Sequence, residues 1–216
     1  RVKVNFDAYK PIDIVGTGSN SHGISILGGG SNTILTDVSS TYNGGNGIHV
    51  SISRTLNDIT LINCNLSHNN IGFRTGSSSG IKGLTLTDTI ADYNQTAGLY
   101  FNGPITGLNL NGGSYSNNKG SSDSTAGLGI YALRFNDFVD GVKLTSSLSG
   151  FTANGNVRGV LLSNFYGPFS ITNATISNNS EEGLAVAPDT NVSGLVFKNI
   201  KANNNPKWNF YLISYR

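Results

Sequence analysis

A chain of 216 residues with 12 % charged side chains and a formal net charge of +2 is long enough for one elongated domain, yet it has no charge excess to draw a particular partner. Its 14 Lys and Arg are scattered, which excludes the basic patch of a nucleic-acid binder, and its one cysteine excludes an internal disulfide. With no signal peptide, transmembrane run or lipidation motif, and a start at Arg1, it reads as a processed protein or an excised domain without membrane insertion.

Val2, Val4 and Phe6, followed by Ile12 and Ile14, alternate with other residues and predict strand at the start. Beyond them a glycine followed by an alternating apolar pair returns at Gly23, Gly47, Gly72, Gly98, Gly127, Gly159 and Gly183. The steps are 24, 25, 26, 29, 32 and 24 residues, and an eighth copy lacking the glycine follows at 209–212. A fixed period of this size marks a solenoid, in which each repeat buries its apolar face by stacking on its neighbours.

Each repeat carries a second strand, at Ile34, Ile59/Leu61, Leu84/Leu86, Leu108/Leu110, Val142/Leu144, Phe169/Ile171 and Leu195/Phe197. All read with the period of two that belongs to strands, and no helix-length pattern occurs. An asparagine then closes each unit: Asn43, Asn69, Asn94, Asn118, Asn154, Asn179 and Asn203. Asparagine tolerates the left-handed conformation of a tight corner, and its amide can bond to its counterpart one turn away, so these predict a turn and a ladder. Cys64, two positions after Ile62, reads as a small buried apolar filler. The chain ends in aromatic residues, with Trp208, Phe210, Tyr211 and Tyr215 expected to cap the last coil or to join two copies in a homo-oligomer.

The recurring N-x-x-x-G-h-x-h…G-h-x-h unit, over about Ser21 to Leu212, resembles the right-handed parallel β-helix repeat of the pectin-lyase-like superfamily. The resemblance implies an all-β fold, a single-stranded right-handed parallel β-helix of about eight coils. It would form one domain over 1–216, read here as part of a larger surface or virion protein. The superfamily includes polysaccharide lyases, polygalacturonases, epimerases, phage tailspikes and surface adhesins, so the likeness implies an extracellular, cell-surface or virion setting and leaves the chemistry open.

Two sets of residues are candidates for a site. The outward position of the first strand gives the column Ser25, His49, Arg74, Tyr100, Gly129 or Tyr131, Leu161, Ala185 and Tyr211, one residue per ~4.8 Å rung. His49, Arg74, Tyr100 and Tyr131 would bind a glycan, the aromatic faces stacking on sugar rings while Arg and His bond to hydroxyls or a carboxylate. The two longest steps enclose Arg134, Asp137, Asp140 and Lys143, two carboxylates and two cations that would act as acid, base and clamp if the chain were an enzyme.

Specific enzyme motifs are missing. Ser21-His22-Gly23-Ile24-Ser25-Ile26 resembles one polygalacturonase motif, but the N-T-D, D-D and R-I-K that accompany it in that family do not occur. Asp37 and Asp88 stand two coils apart, ~10 Å, too far to share a calcium ion, so neither a metal nor another cofactor is expected. The leading expectation is a non-catalytic module that binds a polysaccharide or glycan. The competing ones are a lyase or hydrolase with a lateral cleft, and a structural spacer.

Overall fold

The computed structural model describes residues 12–15, 18, 20–27, 31–51, 55–118, 128–132, 135–136, 138–139, 142–143, 146–163, 165–166, 168–187 and 194–212. These form an all-β parallel solenoid with no helix among them, hence none long and apolar enough to cross a membrane. The first sheet stacks eight strands in parallel: Ile24–Ile26, Asn46–Val50, Ile71–Thr75, Ala97–Phe101, Leu128–Ala132, Arg158–Ser163, Glu182–Ala187 and Trp208–Leu212. The second runs through Ser31–Thr36, Thr55–Ile62, Gly80–Thr87, Ile105–Asn111, Ser146–Ser149, Phe169–Thr172 and Leu195–Lys198. A narrow third wall is one bridge wide, Ser39 to Asn65, Ile90, Ser114, Thr152, Thr175 and Lys201. Eight rungs in one sheet and seven along each of the other two walls make slightly fewer than the eight full coils expected.

The core is built by columns of like residues. On the first sheet Ile48, Phe73, Leu99, Ile130, Val160 and Leu184 lie in register, all fully buried. Leu35, Leu61, Leu86, Leu110, Leu148 and Ile171 face them from the second. Two expected core positions shift. Ile34 pairs with outward Thr60, so Leu35 takes the inward place, and Ser146/Leu148 replace Val142/Leu144. Val142 instead pairs antiparallel with Val139, and Lys143 with Phe138, so this inserted stretch stands outside the parallel ladders. The fifth glycine of the period is likewise Gly129, whose neighbour Ile130 pairs with Leu99, and not Gly127.

The glycine clock and the asparagine ladder have one cause. A Cβ on Gly47 would lie 2.8 Å from the Asn69 amide nitrogen and 2.7 Å from the Gly72 carbonyl oxygen. A Cβ on Gly159 would meet Asn179 at 2.9 Å in the same way. The ladder amides occupy the space where side chains would go, so the strand residue beside them must have none. The backbone N–H of each ladder asparagine donates to the Oδ1 of the next at 2.8–3.0 Å, from Asn43 through Asn69, Asn94, Asn118, Asn156 and Asn179 to Asn205.

Asn156 and Asn205 therefore hold the places expected of Asn154 and Asn203. Those two belong to a parallel outer row, where Asn154 Oδ1 accepts from the Ser177 N–H and the Asn203 N–H donates to Ser177 Oγ. The left-handed conformation expected of the ladder falls on the residue just before it: Tyr42, His68, Tyr93, Asn117, Gly155, Asn178 and Asn204. Trp208, Phe210 and Tyr211 form the last rung rather than a lid over it, and each is more than a third exposed. Tyr215 and residues 1–11 lie outside the described residues.

Candidate functional site

The register of the first sheet produces the outward column Ser25, His49, Arg74, Tyr100, Tyr131, Leu161, Ala185 and Tyr211, with Tyr131, not Gly129, on the fifth rung. Alternation explains the placement: Phe73 and Thr75 turn into the core, which sends Arg74 between them outward. The Arg74 guanidinium carbon lies 5.9 Å from the Tyr100 ring centroid, within cation–π range. Tyr100 is half-buried against Ile71 and Ala97, so its ring is held from beneath. The backbone of Tyr131 places it on the next rung.

Arg74 forms no ion pair among the described residues, and its Nε is buried without a hydrogen-bond partner. A histidine that sequence reasoning had noted only within a failed motif joins this row. The His22 ring packs edge-on against His49, centroids 4.2 Å apart at 71°. The Asn46 N–H donates to His22 Nδ1 at 2.9 Å, and Gly45 leaves room for that ring, since a Cβ there would lie 2.5 Å from Nδ1. Burial lowers the pKa of His22 below its ordinary value, and the Arg74 charge lowers it further. His49 is lowered by burial first, then by His22 and Arg74. Both rings thus favour the neutral form.

Arg134, Asp137 and Asp140 lie outside the described residues, and Lys143 is placed by its backbone in the antiparallel pair with Phe138. The adjacent carboxylates Glu181 and Glu182 are engaged elsewhere: Glu182 meets Arg158 Nε and Lys207 Nζ at 2.6 Å each, and Glu181 meets Arg158 at 2.9 Å. Burial pushes the Glu182 carboxyl up, but Lys207 and Arg158 outweigh it and hold the pKa below the usual carboxylate value. No group of three His, Cys, Asp or Glu suited to a metal ion occurs among the described residues. Asp37, Asn63 and Asp88 are left-handed corner residues on successive turns. Cys64 is buried, and burial raises its pKa, which fits an inert filler.

Two features escaped the sequence reading. On the outside of the second sheet a polar cleft of about 490 Å³ is lined by Asn32, Asn57, Asp58, Lys82, Gly83, Gly107 and Asn109. Their signal was the recurring second glycine, seen at Gly83 and Gly107 with positive φ inside the second strand. At the corner between the third wall and the first sheet, Tyr42, His68 and Tyr93 stack with centroids 4.6 and 5.3 Å apart. All three have positive φ, which sets them at the same left-handed corner of successive turns. No family model matches the chain, and neither a curated protein nor a solved structure matches it.

Proposed function

We propose that the chain is a carbohydrate-binding β-helix module of an extracellular, cell-surface or virion protein, which holds a glycan along the outer face of its first sheet. The observation that carries this reading is the row His49, Arg74, Tyr100 and Tyr131 on four consecutive rungs, with the Arg74 guanidinium over the Tyr100 ring. At ~4.8 Å per rung the row extends ~14 Å, the footprint of an extended ligand rather than of a point contact. Aromatic faces suit the apolar faces of sugar rings, and imidazole and guanidinium donors suit hydroxyl and carboxylate oxygens. The repeat's resemblance to the pectin-lyase-like superfamily, with its carbohydrate-active members, supports the same reading.

Binding is favoured over turnover by the charges available. Hydrolysis of a glycosidic bond uses two carboxylates roughly 5–9.5 Å apart. The carboxylate described on the first sheet, Glu182, and its neighbour Glu181 are committed to Arg158 and Lys207 at the sheet's far end. The test is a glycan array probed with the native protein and with the combined His49→Ala, Arg74→Ala and Tyr100→Ala variant. Loss of Tyr100 alone should weaken binding by about 1 kcal/mol through lost stacking. Because Tyr100 also packs on Ile71 and Ala97, each variant is first checked for native circular dichroism. An array signal that survives the triple substitution would show the column to be ordinary surface.

A further inference from the structure

Resting on the reading that this face binds glycan, we propose that His22, His49 and Arg74 form an anion site that holds a carboxylate or sulfate group of the ligand, and that His49 takes up a proton as the anion enters. The three side chains come from three consecutive turns, and the register sets His49 opposite Arg74. Arg74 is a cation without a carboxylate partner among the described residues, with a buried Nε that bonds to nothing. Asn46, whose backbone N–H holds His22, is 1 % exposed and its Nδ2 is likewise unpartnered. An open donor on a fixed positive charge is complemented best by an oxyanion, because charge-assisted bonds to such a group are about twice as strong as neutral ones.

The two imidazoles divide the work. His22 accepts the Asn46 N–H at Nδ1, so its neutral form carries hydrogen on Nε2 and donates from there. Protonating His22 would set one N–H against another, which keeps it neutral. His49 has no hydrogen-bond partner among the described residues, and the charges that act on it are those of His22 and Arg74. In the empty site a proton on His49 is repelled by Arg74. An anion between them reverses the sign of that interaction, and the proton comes from solvent.

Calorimetric titrations of the full chain at pH 5.5 and 7.5, each in two buffers of different ionisation enthalpy, test the proposal. The probes are oligogalacturonate and its neutral methyl ester, sulfated keratan oligosaccharides and their neutral desulfated forms, and inorganic sulfate. The charged forms are expected to bind about tenfold tighter at pH 5.5 with net proton uptake, the limit for one linked proton over the titrating unit. His49→Gln should abolish the uptake and the pH slope, His22→Gln should retain the uptake, and Arg74→Gln should weaken the charged probes at both pH values. Anion binding without proton uptake, or a slope that survives His49→Gln, would overturn the proposal. If charged and neutral oligosaccharides bind alike, the anion site falls while the glycan reading stands. If inorganic sulfate binds with His49-dependent proton uptake and no oligosaccharide binds, the anion site stands and the glycan reading falls. Failure of every probe to bind overturns both.

Discussion

Replacing Asn69 with alanine tests whether the amide ladder holds the turns together. Asn69 is fully buried, and its Oδ1 accepts from the Asn43 backbone N–H at 2.9 Å and from the Asn43 Nδ2 at 2.8 Å. Its own Nδ2 donates to the carbonyls of Ser40 at 2.8 Å and Leu66 at 2.9 Å. Alanine removes all four bonds and leaves a buried donor on Asn43 without its acceptor. An orphaned buried group costs about 1–3 kcal/mol, and with the two weakened carbonyls the loss should come to about 3 kcal/mol. In a chain of this size 1 kcal/mol moves Tm by about 2–4 °C, so the melting point should fall by about 6–12 °C. Thermal and urea unfolding followed by circular dichroism give that number, and hydrogen exchange gives its location. The Asn43 amide should exchange faster, whereas the Asn94 amide, bonded to Asn118 Oδ1, should keep its protection. Asn199→Gly is the comparator, because it removes an exposed bond to Asn173 at a left-handed corner and should stay within about 0.5 kcal/mol of the native chain. The reasoning fails if Asn69→Ala also lies within about 1 kcal/mol of the native chain and Asn43 remains protected.

Gly47→Ala forces a Cβ to within 2.7 Å of the Gly72 oxygen, so it should lower the urea midpoint by the equivalent of about 1–3 kcal/mol. Gly76→Ala, whose Cβ would lie no closer than 3.2 Å to Ser79 Oγ, should cost much less, and equal midpoints would refute the packing account. The Tyr115 hydroxyl is buried without a partner, so Tyr115→Phe should leave stability unchanged or raise it by about 1 kcal/mol, measured by the same unfolding curves; a clear loss would mean that the hydroxyl is bonded. His22 and His49 have folded pKa values below their ordinary 6.5, so below pH 6.5 the unfolded chain binds more protons than the folded one. Stability conferred by the neutral rings is then complete above 6.5 and lost as pH falls through the lowered values, and Tm should drop between pH 7 and 5. His22→Gln with His49→Gln should flatten that slope, and a flat native profile would refute the assignment.

The period of the chain was enough to read the solenoid, because every turn must fill the same interior and the register of a parallel stack repeats it. Reading slipped by a residue or two within a turn, at Leu35 and Asn205 in turns of ordinary length and most where the repeat lengthens. Between Gly98 and Gly159 the spacing alone could not choose between Gly127 and Gly129, and pairing of Ile130 with Leu99 decides it. The ladder shifted by two residues at both Asn156 and Asn205, since Asn154 and Asn156, like Asn203 and Asn205, differ by one strand period and each finds a row of bonded neighbours. Of the candidate site, His49, Arg74 and Tyr100 were legible because strand alternation places them without knowledge of the third dimension. His22 was not, because it precedes its strand and reaches the row through a contact between turns that no local pattern encodes.

The two faces of the first sheet argue differently about function. Inward, Ile48, Phe73, Leu99, Ile130, Val160 and Leu184 repeat one chemistry because each fills the same space. Outward, on an identical backbone, the residue changes at nearly every rung, and packing has no demand for an imidazole followed by a guanidinium and a phenol. Asn69 completes its bonds within the chain, whereas the Asn94 Nδ2 and Tyr115 hydroxyl of the interior do not, and on the outer row Arg74 keeps a desolvated Nε open beside two rings that burial first, and the Arg74 charge further, disfavour from protonation. Burying a polar group without a partner costs free energy in the unliganded protein. At Arg74 that cost falls on a stretch of the outer face where cation, imidazoles and aromatic ring adjoin, and an oxyanion bound there, as proposed above, would remove it. On the proposed reading, a ligand supplies the partner that the fold does not give Arg74 Nε.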